Sequence, residues 1–111
     1  MEARAIAKNV RISADKTRLV ADLIRGKDVD KAMSILKNLN KKAARLIEKV
    51  LASAIANAEN NQGLKRENLF VKESYVNEGP VMKRMIMDSR GHVGRNDRRT
   101  SHIIVVVSEK N

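Results

Sequence analysis

The stretch KRMIMDSRGHVGRNDRR, residues 83–99, determines the architecture expected for this chain. It holds six Lys and Arg residues against two Asp residues, which gives a net charge of +6 − 2 = +4. Gly91 and Gly94 lie near its middle, a Met/Ile-rich run precedes them, and the β-branched run Ile103–Val107 follows the segment. Two β-forming runs around glycines predict a hairpin. We therefore expect a long basic β-hairpin over about residues 80–100, called the arm below.

The charge of the whole chain indicates the kind of partner. With 23 Lys and Arg against 13 Asp and Glu, the net charge is +10 and the pI about 10.3. Such a charge repels itself in the isolated compact state unless an anion offsets it. Nucleic acid is the default anion, and an acidic membrane surface is the weaker alternative. Because Phe70 and Tyr75 are the only aromatic residues, we expect contacts to RNA phosphates, 2′-hydroxyls and RNA shape rather than widespread base stacking.

Composition also excludes several classes of protein. A chain of 111 residues is long enough for one domain with its own core. The absence of cysteine excludes disulfides and thiolate–metal sites, and fits an intracellular protein. The longest apolar run has five residues, far short of a membrane span, and the first residues lack the apolar region of a secretory signal. We expect a soluble protein without a membrane partner.

The remaining patterns predict one strand, three helices and a closing set of strands. A strand is expected over Glu2–Val10, and a helix capped by Ser13 ends at Gly26, with an apolar stripe of Leu19, Val20, Leu23 and Ile24. A second helix starts at Asp28 or Asp30, and a third runs from Asn40 to about Asn61. Strands follow over residues 69–76, in the arm, and up to Ser108. This order predicts an α+β fold with three helices packed on a small antiparallel sheet.

The whole chain is then one domain, residues 1–111, with a globular body and the extended arm. The body comprises residues 1–79 and 101–111. Basic residues cluster in both parts with few acids among them. In the body, Lys41 and Lys42 stand at a helix N-terminus, where a bound phosphate offsets their repulsion from the helix dipole, although both also fit ordinary solvent-facing lysines. The predicted RNA-binding residues are Arg4, Lys8, Arg11, Lys16, Arg18, Arg25, Lys27, Lys41, Lys42, Lys83, Arg84, Arg90, Arg95, Arg98 and Arg99.

Several segments together resemble one family, the bacterial large-subunit ribosomal protein twenty-two, which has a β-hairpin that reaches into the exit tunnel. The resemblance spans nearly the whole chain, and its segments occur in the family's order and spacing. These segments are Arg11-Ile12-Ser13 with Lys16 and 18–20, Asp22–Lys27, Glu48–Leu51 with Ser53–Asn60, Asn77-Glu78-Gly79-Pro80 with Lys83-Arg84, and Arg99–Ile103 with Val105–Ser108.

The resemblance implies a structural, non-catalytic protein of the cytoplasmic ribosome that binds several domains of 23S rRNA. Its implied partners are that rRNA, neighbouring large-subunit proteins and the nascent polypeptide, with no cofactor and no homo-oligomer. Family members usually carry an Arg-Pro-Arg step where this chain has Ile86-Met87-Asp88. The hairpin tip implied to line the tunnel consists of Asp88, Ser89, Arg90, Gly91, His92, Val93 and Gly94.

Two other functions were weighed against RNA binding. Catalysis or metal binding by His92 and His102 is disfavoured, because the hairpin keeps the two residues apart and neither has a ligand-spaced partner. We expect His102 to be packed or hydrogen-bonded at the base of the arm. The main alternative is a DNA-binding architectural protein with a basic β-arm, but such arms usually end in an apolar or proline wedge that this tip lacks. Met82, Met85 and Met87 either pack under the arm or contact bases.

Overall fold

A computed structural model describes residues 2–79, 82–87, 93–98 and 100–110, with residues 82–87 and 93–98 described by their backbone alone. The elements follow the predicted order, with the arm divided into two strands of its own. They are β1 (Glu2–Val10), α1 (Ala14–Ile24), α2 (Val29–Asn38), α3 (Lys42–Gln62), a 3₁₀ turn (Arg66–Asn68), β2 (Leu69–Glu78), β3 (Met82–Met87), β4 (Val93–Arg98) and β5 (Ser101–Glu109).

The last strand, β5, lies at the centre of a three-stranded antiparallel sheet with the order β1–β5–β2. Its continuous run Ile103–Val107 is buried throughout, because β5 is the central strand and is flanked by β1 and β2 on its two sides. The strands β3 and β4 form a second, two-stranded antiparallel sheet that runs from the pair Met82–Arg98 to the pair Met87–Val93. The predicted α+β architecture, with helices, an antiparallel sheet and hairpin strands, is therefore confirmed.

The core lies between the three helices and one face of the larger sheet. The alternation in β1 turns Ala3 and Ala5 toward this core, and these small side chains let α3 approach the strand closely. α3 contributes a stripe that includes Ile47 and Leu51, and β5 contributes residues such as Val105. The chain fills this layer with aliphatic residues alone and leaves the opposite face of the sheet without a covering helix.

The first helix differs from its prediction in which residues it buries. Val20 and Ile24 are buried, but Leu19 is 65% exposed and Leu23 is 47% exposed. Each residue turns 100° around a helix. Leu23 therefore lies about a quarter-turn, and Leu19 more than a third of a turn, from the buried line through Thr17, Val20 and Ile24. The prediction of one buried stripe was wrong for these two leucines.

Helix boundaries also shift by a few residues. α1 ends at Ile24, and Gly26 follows in a left-handed conformation with φ of 79°. α3 begins at Lys42 with Lys41 as its N-cap rather than at Asn40. Gly63 ends α3 at φ of 65°, a conformation that glycine adopts without steric cost. Among the described residues, no helix is long and apolar enough to cross a membrane.

The free edge of β1 is capped by side chains from α3. The amide group of Asn57 donates to the Arg4 carbonyl at 3.1 Å, and that of Gln62 donates to the Glu2 carbonyl at 2.6 Å. Unpaired strand edges otherwise invite pairing with other chains. The long helix therefore both fills the core and blocks part of one sheet edge.

Candidate nucleic-acid interface

Three hydrogen bonds fix the base of the arm, one within the base itself and two to residues at the end of β1. Gly79 donates its backbone N–H to the Thr100 carbonyl at 2.9 Å, which closes the hairpin at its base. The Ser101 hydroxyl donates to the Ile12 carbonyl at 2.7 Å, and the Nδ1 atom of His102 accepts from the Asn9 backbone N–H at 3.1 Å. The predicted hydrogen-bonding role of His102 is confirmed. These contacts fix where the arm leaves the body.

Four exposed basic residues lie around this point, and we call them the root cluster: Lys8, Arg11, Lys41 and Lys42. Arg11 directly follows β1, and the ammonium group of Lys42 lies 3.5 Å from the Arg11 carbonyl, so the N-terminus of α3 meets the end of β1. The first turn of α3 contains no acidic residue. Among the described side chains, none of the four forms an ion pair.

The electrostatics of this end of the body favour an external anion. The N-terminus of a helix presents free N–H groups and a positive partial charge. Lys41 and Lys42 add two full charges at that same place, and Lys8 and Arg11 add two more nearby. This arrangement suits phosphate, which accepts hydrogen bonds from the N–H groups and is attracted by the ammonium and guanidinium groups.

Arg18 and Arg25, both predicted to bind RNA, make specific contacts within the protein. The guanidinium group of Arg25 donates to the Ser74 carbonyl at 2.6 Å and to Asp22 at 2.7 Å. Arg18 donates to the Val76 carbonyl at 3.1 Å. These carbonyls lie on the outer edge of β2, so the two arginines cap this edge. About half of each side chain stays exposed and remains available for other contacts.

Sequence reasoning missed this capping role, although a signal for it is present. The motif Asp-x-x-Arg occurs twice on α1, at Asp15–Arg18 and at Asp22–Arg25, seven residues apart. That spacing places both arginines on one side of the helix, beside the edge strand. Further along the same edge, Gly26 and Lys27 pair with Val71 through their backbones, and Lys27 is half-buried. Lys16 is exposed on α1.

Arg4 occupies a different surface, the face of the sheet opposite the helices. On the same face Lys72 forms an ion pair with Glu2. The hydrogen bond and charge of Lys72 lower the pKa of Glu2, and the same contact raises the pKa of Lys72. About half of each side chain is exposed to solvent, so this surface pair contributes little to stability. Arg4 forms no ion pair with any described residue.

The register of the arm strands places each of their basic residues opposite a residue that is not basic. Lys83 pairs with Asp97, Arg84 with Asn96, Met85 with Arg95 and Met82 with Arg98, and the side chains of these strands are not described. Of the predicted tip, Val93 and Gly94 open β4. Residues 88–92, together with Arg99, lie outside the described residues. The described His, Asp and Glu residues contain no group suited to hold a metal ion.

The matches to known proteins agree with this arrangement. Residues 5–108 match the family described as Ribosomal protein L22p/L17e. The chain belongs to that family. It is 57% identical over 110 residues to the large ribosomal subunit protein uL22 of Halothermothrix orenii, covering 99% of this chain and 97% of the relative. It is 56% identical to the protein of the same name from Carboxydothermus hydrogenoformans, with the same coverage.

Membership of the L22p/L17e family confirms the resemblance drawn from the sequence and places the chain in a structural, non-enzymatic class. The matched region, residues 5–108, covers most of β1, all of the helices and both arm strands. Every element described above therefore lies wholly or largely within it. The root cluster and the base of the arm are likewise parts of the L22p/L17e unit. Because the family is structural and non-enzymatic, no catalytic role is assigned to this surface.

Proposed function

We propose that this chain is a structural constituent of the large ribosomal subunit, located in the cytoplasm with the ribosome, and that it binds 23S rRNA. The observation that carries the proposal is the position of the root cluster. Its four cations lie around the base of the arm and form no ion pair with any described side chain. Both relatives are named large ribosomal subunit proteins, which supports the same assignment.

In this proposal the body and the arm have separate tasks. The body, residues 1–79 and 101–111, docks on rRNA through the root cluster and the other basic residues predicted from the sequence. The arm, about residues 80–100, inserts between RNA segments, and its charges offset the repulsion between their phosphates. The protein bridges rRNA domains in this way and contacts neighbouring ribosomal proteins.

The tip of the arm has a separate role in this proposal. Residues 88–94 line the nascent-peptide exit tunnel and contact the passing polypeptide. The length of the paired arm supports this reach. β3 and β4 each contain six residues, which extends the hairpin by about 20 Å beyond its base at roughly 3.3 Å per residue.

Sedimentation of a tagged chain through a high-salt sucrose gradient, with and without ribonuclease, tests the assignment. We expect stoichiometric comigration with the large ribosomal subunit and loss of that comigration after RNA digestion. Migration as a small free species, or with DNA, would contradict the proposal. Migration with DNA would instead favour the architectural DNA-binding protein.

A variant of the arm tests its anchoring role in the same gradient. Replacing Lys83, Arg84, Arg98 and Arg99 with Ala should release the chain from the subunit at high salt while the body stays folded. A matched control removes four exposed lysines elsewhere: Lys31, Lys37, Lys49 and Lys65. Equal release of both variants would show that total charge, rather than the arm, holds the protein in place.

A further inference from the structure

The open face of the sheet carries both aromatic residues of the chain. The register pairs Phe70 with Ser108 and Tyr75 with Ile104, so both aromatic residues share the face of β5 that points away from the helices. Neither belongs to the core between the helices and the sheet. This placement was not foreseen from the sequence, which showed only that aromatic residues are scarce.

Tyr75 lies in an apolar row that crosses the sheet. Ile6 of β1 and Tyr75 of β2 pair with Ile104 of β5 from its two sides. Ile104 is only 4% exposed, whereas Tyr75 is 39% exposed. Because adjacent strands lie about 4.8 Å apart, Ile6 and Tyr75 are separated by roughly 10 Å. The row is a nearly flat apolar strip with an aromatic ring at one end.

A shallow depression of about 220 Å³ lies next to this row, lined by residues that include Arg4, Tyr75 and Val106. Small-molecule sites usually measure roughly 300–1,000 Å³, so this depression suits one planar ring rather than a whole free ligand. Tyr75 forms one side and Arg4 reaches in from the other strand. A ring in the depression would lie over Val106, which is already only 5% exposed, and within reach of a cation.

The charges around Tyr75 favour a nucleotide as the occupant. On β1, Arg4 and Lys8 alternate in phase with Ile6, and neither forms an ion pair among the described residues. Glu2 on this face is already paired with Lys72. Glu73 is the acid that remains near the depression. Among the lining residues Arg4 is thus the one cation, and Lys8 lies outside the lining, further along the same face of β1. A cation beside an aromatic ring suits a base with its attached phosphate better than an uncharged peptide.

Phe70 lies in a different environment and provides an internal comparison. The cleft beside it, about 490 Å³, is lined by Asp28 and Glu109 as well as by Lys72 and Lys110. Lys110 is paired with Asp28 and Lys72 with Glu2. Both cations that line this cleft are therefore already paired with acids of the described part of the chain. The two aromatic residues thus differ in electrostatics, and only the surroundings of Tyr75 suit a nucleotide.

From this juxtaposition we infer that the open sheet face binds an unpaired RNA base, which stacks on Tyr75 while Arg4 and Lys8 hold the adjoining phosphates. The inference rests on the proposed rRNA binding and adds a second contact surface, which is separate from the arm and shares only Lys8 with the root cluster. It assigns to this face the recognition of a nucleotide that has left its helix, because a base inside a duplex has no free surface for Tyr75 to stack on.

Tyr75 is its own reporter, because the chain has one tyrosine and no tryptophan. Two unlabelled RNAs are titrated into the protein at low salt: a hairpin with a loop of six adenosines, and a blunt duplex of the same stem. We expect the looped RNA to quench tyrosine fluorescence and the duplex to leave it unchanged. Free tyrosine amide, titrated in parallel, corrects for absorption of light by the RNA.

Variants separate stacking from simple apolar contact. Tyr75→Leu keeps the apolar cover over Ile104 and should weaken binding of the looped RNA by roughly 5- to 150-fold, the range measured for loss of one base stack. Tyr75→Phe keeps the ring and should bind within about twofold of the parent chain. Leu19→Ala removes an exposed apolar residue from α1 and should have no effect. Circular dichroism checks that each variant is folded.

The possible failures are distinguishable. If the looped RNA binds without quenching Tyr75 and Tyr75→Leu binds equally well, the inference is wrong and the proposed rRNA binding stands. If Tyr75→Leu binds RNA normally but dissociates from the large subunit, a protein covers this face and the inference is also overturned. If neither RNA binds, the proposed function fails together with the inference.

Discussion

The imidazole Nδ1 of His102 accepts a hydrogen bond from the backbone N–H of Asn9 at 3.1 Å, across 93 residues of sequence. Asn9 has a φ of 55°, and the pairing of β1 with β5 shifts register between Ala7 and Val10. The side chain of His102 therefore satisfies an amide at a break in the strand pairing. This contact couples the base of the arm to the segment that carries Lys8 and Arg11.

Removing this acceptor should loosen the junction between the arm and β1. We expect His102→Leu to lower the free energy of unfolding by about 0.5–1 kcal/mol, because the Asn9 amide loses a partner at a partly exposed site. His102→Asn, which offers an oxygen at a similar distance from the backbone, should recover most of the loss. Urea unfolding measures both variants. Equal destabilisation by Leu and Asn would show that the ring's packing matters and the hydrogen bond does not.

Gly79 is the residue at the base of the arm with the least space. A Cβ atom there would lie 2.4 Å from the Thr100 hydroxyl and 3.3 Å from the Thr100 backbone carbon. Gly79→Ala should therefore destabilise the protein by about 1–3 kcal/mol through overpacking. It should also disturb the Gly79–Thr100 hydrogen bond, which amide hydrogen exchange would detect as faster exchange at Gly79.

A double-mutant cycle separates this clash from a general effect of alanine. Thr100→Ala removes the hydroxyl that the new Cβ would strike, so Gly79→Ala should cost less in that background than in the parent. The remaining cost reflects the contact with the Thr100 backbone. If Gly79→Ala costs the same in both backgrounds, the hydroxyl is not the obstacle and the inferred crowding is wrong.

The capping of β2 by α1 predicts a stability role for two residues first identified as RNA ligands. Arg18→Ala with Arg25→Ala should lower the free energy of unfolding by about 1–3 kcal/mol, because the Val76 and Ser74 carbonyls lose their donors. Lys16→Ala, on the same helix but without such a contact, should change it by less than about 0.5 kcal/mol. Thermal unfolding without RNA compares the two variants. Similar losses of stability in both would show that the arginine contacts do not stabilise the fold.

The sequence predicted the parts of the fold that depend on local pattern. The run Ile103–Val107 indicated a buried strand, and the alanine-rich repeat of α3 indicated a long helix, because both signals arise from neighbouring residues. The sequence did not predict which arginines form hydrogen bonds within the protein. The contacts of Arg25 with Ser74 and of His102 with Asn9 join residues 49 and 93 positions apart, and only the packed sheet brings them together.

The sequence predicted the ligand class of the candidate site but not how its basic residues are arranged. Charge and composition indicated RNA, yet the sequence did not show which of the basic residues predicted for the body make contacts within the protein. Packing divides them into the root cluster without ion pairs, the edge-capping Arg18 and Arg25, and Arg4 on the open face beside Tyr75. The exposed Leu19 and Leu23 were misassigned for a related reason, since helical periodicity identifies an apolar side but not its exact limits.

The root cluster should account for a measurable part of the salt dependence of RNA binding. Each phosphate neutralised contributes about −0.7 to the slope of log K against log salt concentration. Six phosphate contacts would thus weaken binding roughly 300-fold between 50 and 200 mM salt. Replacing Lys8, Arg11, Lys41 and Lys42 with Ala should flatten the slope by up to about 2.8, the value for four lost phosphates. Filter binding to a 23S rRNA transcript at several salt concentrations measures this slope.

The control for this experiment has the same net charge but a different distribution. Replacing Lys31, Lys37, Lys49 and Lys65 with Ala also removes four positive charges, from exposed positions outside the root cluster. Because the slope counts released counterions at the contact surface, this variant should keep the parent slope and lose affinity only slightly through the weaker long-range field. Equal flattening by the two sets would mean that RNA responds to total charge, and the root cluster would then have no special part in docking.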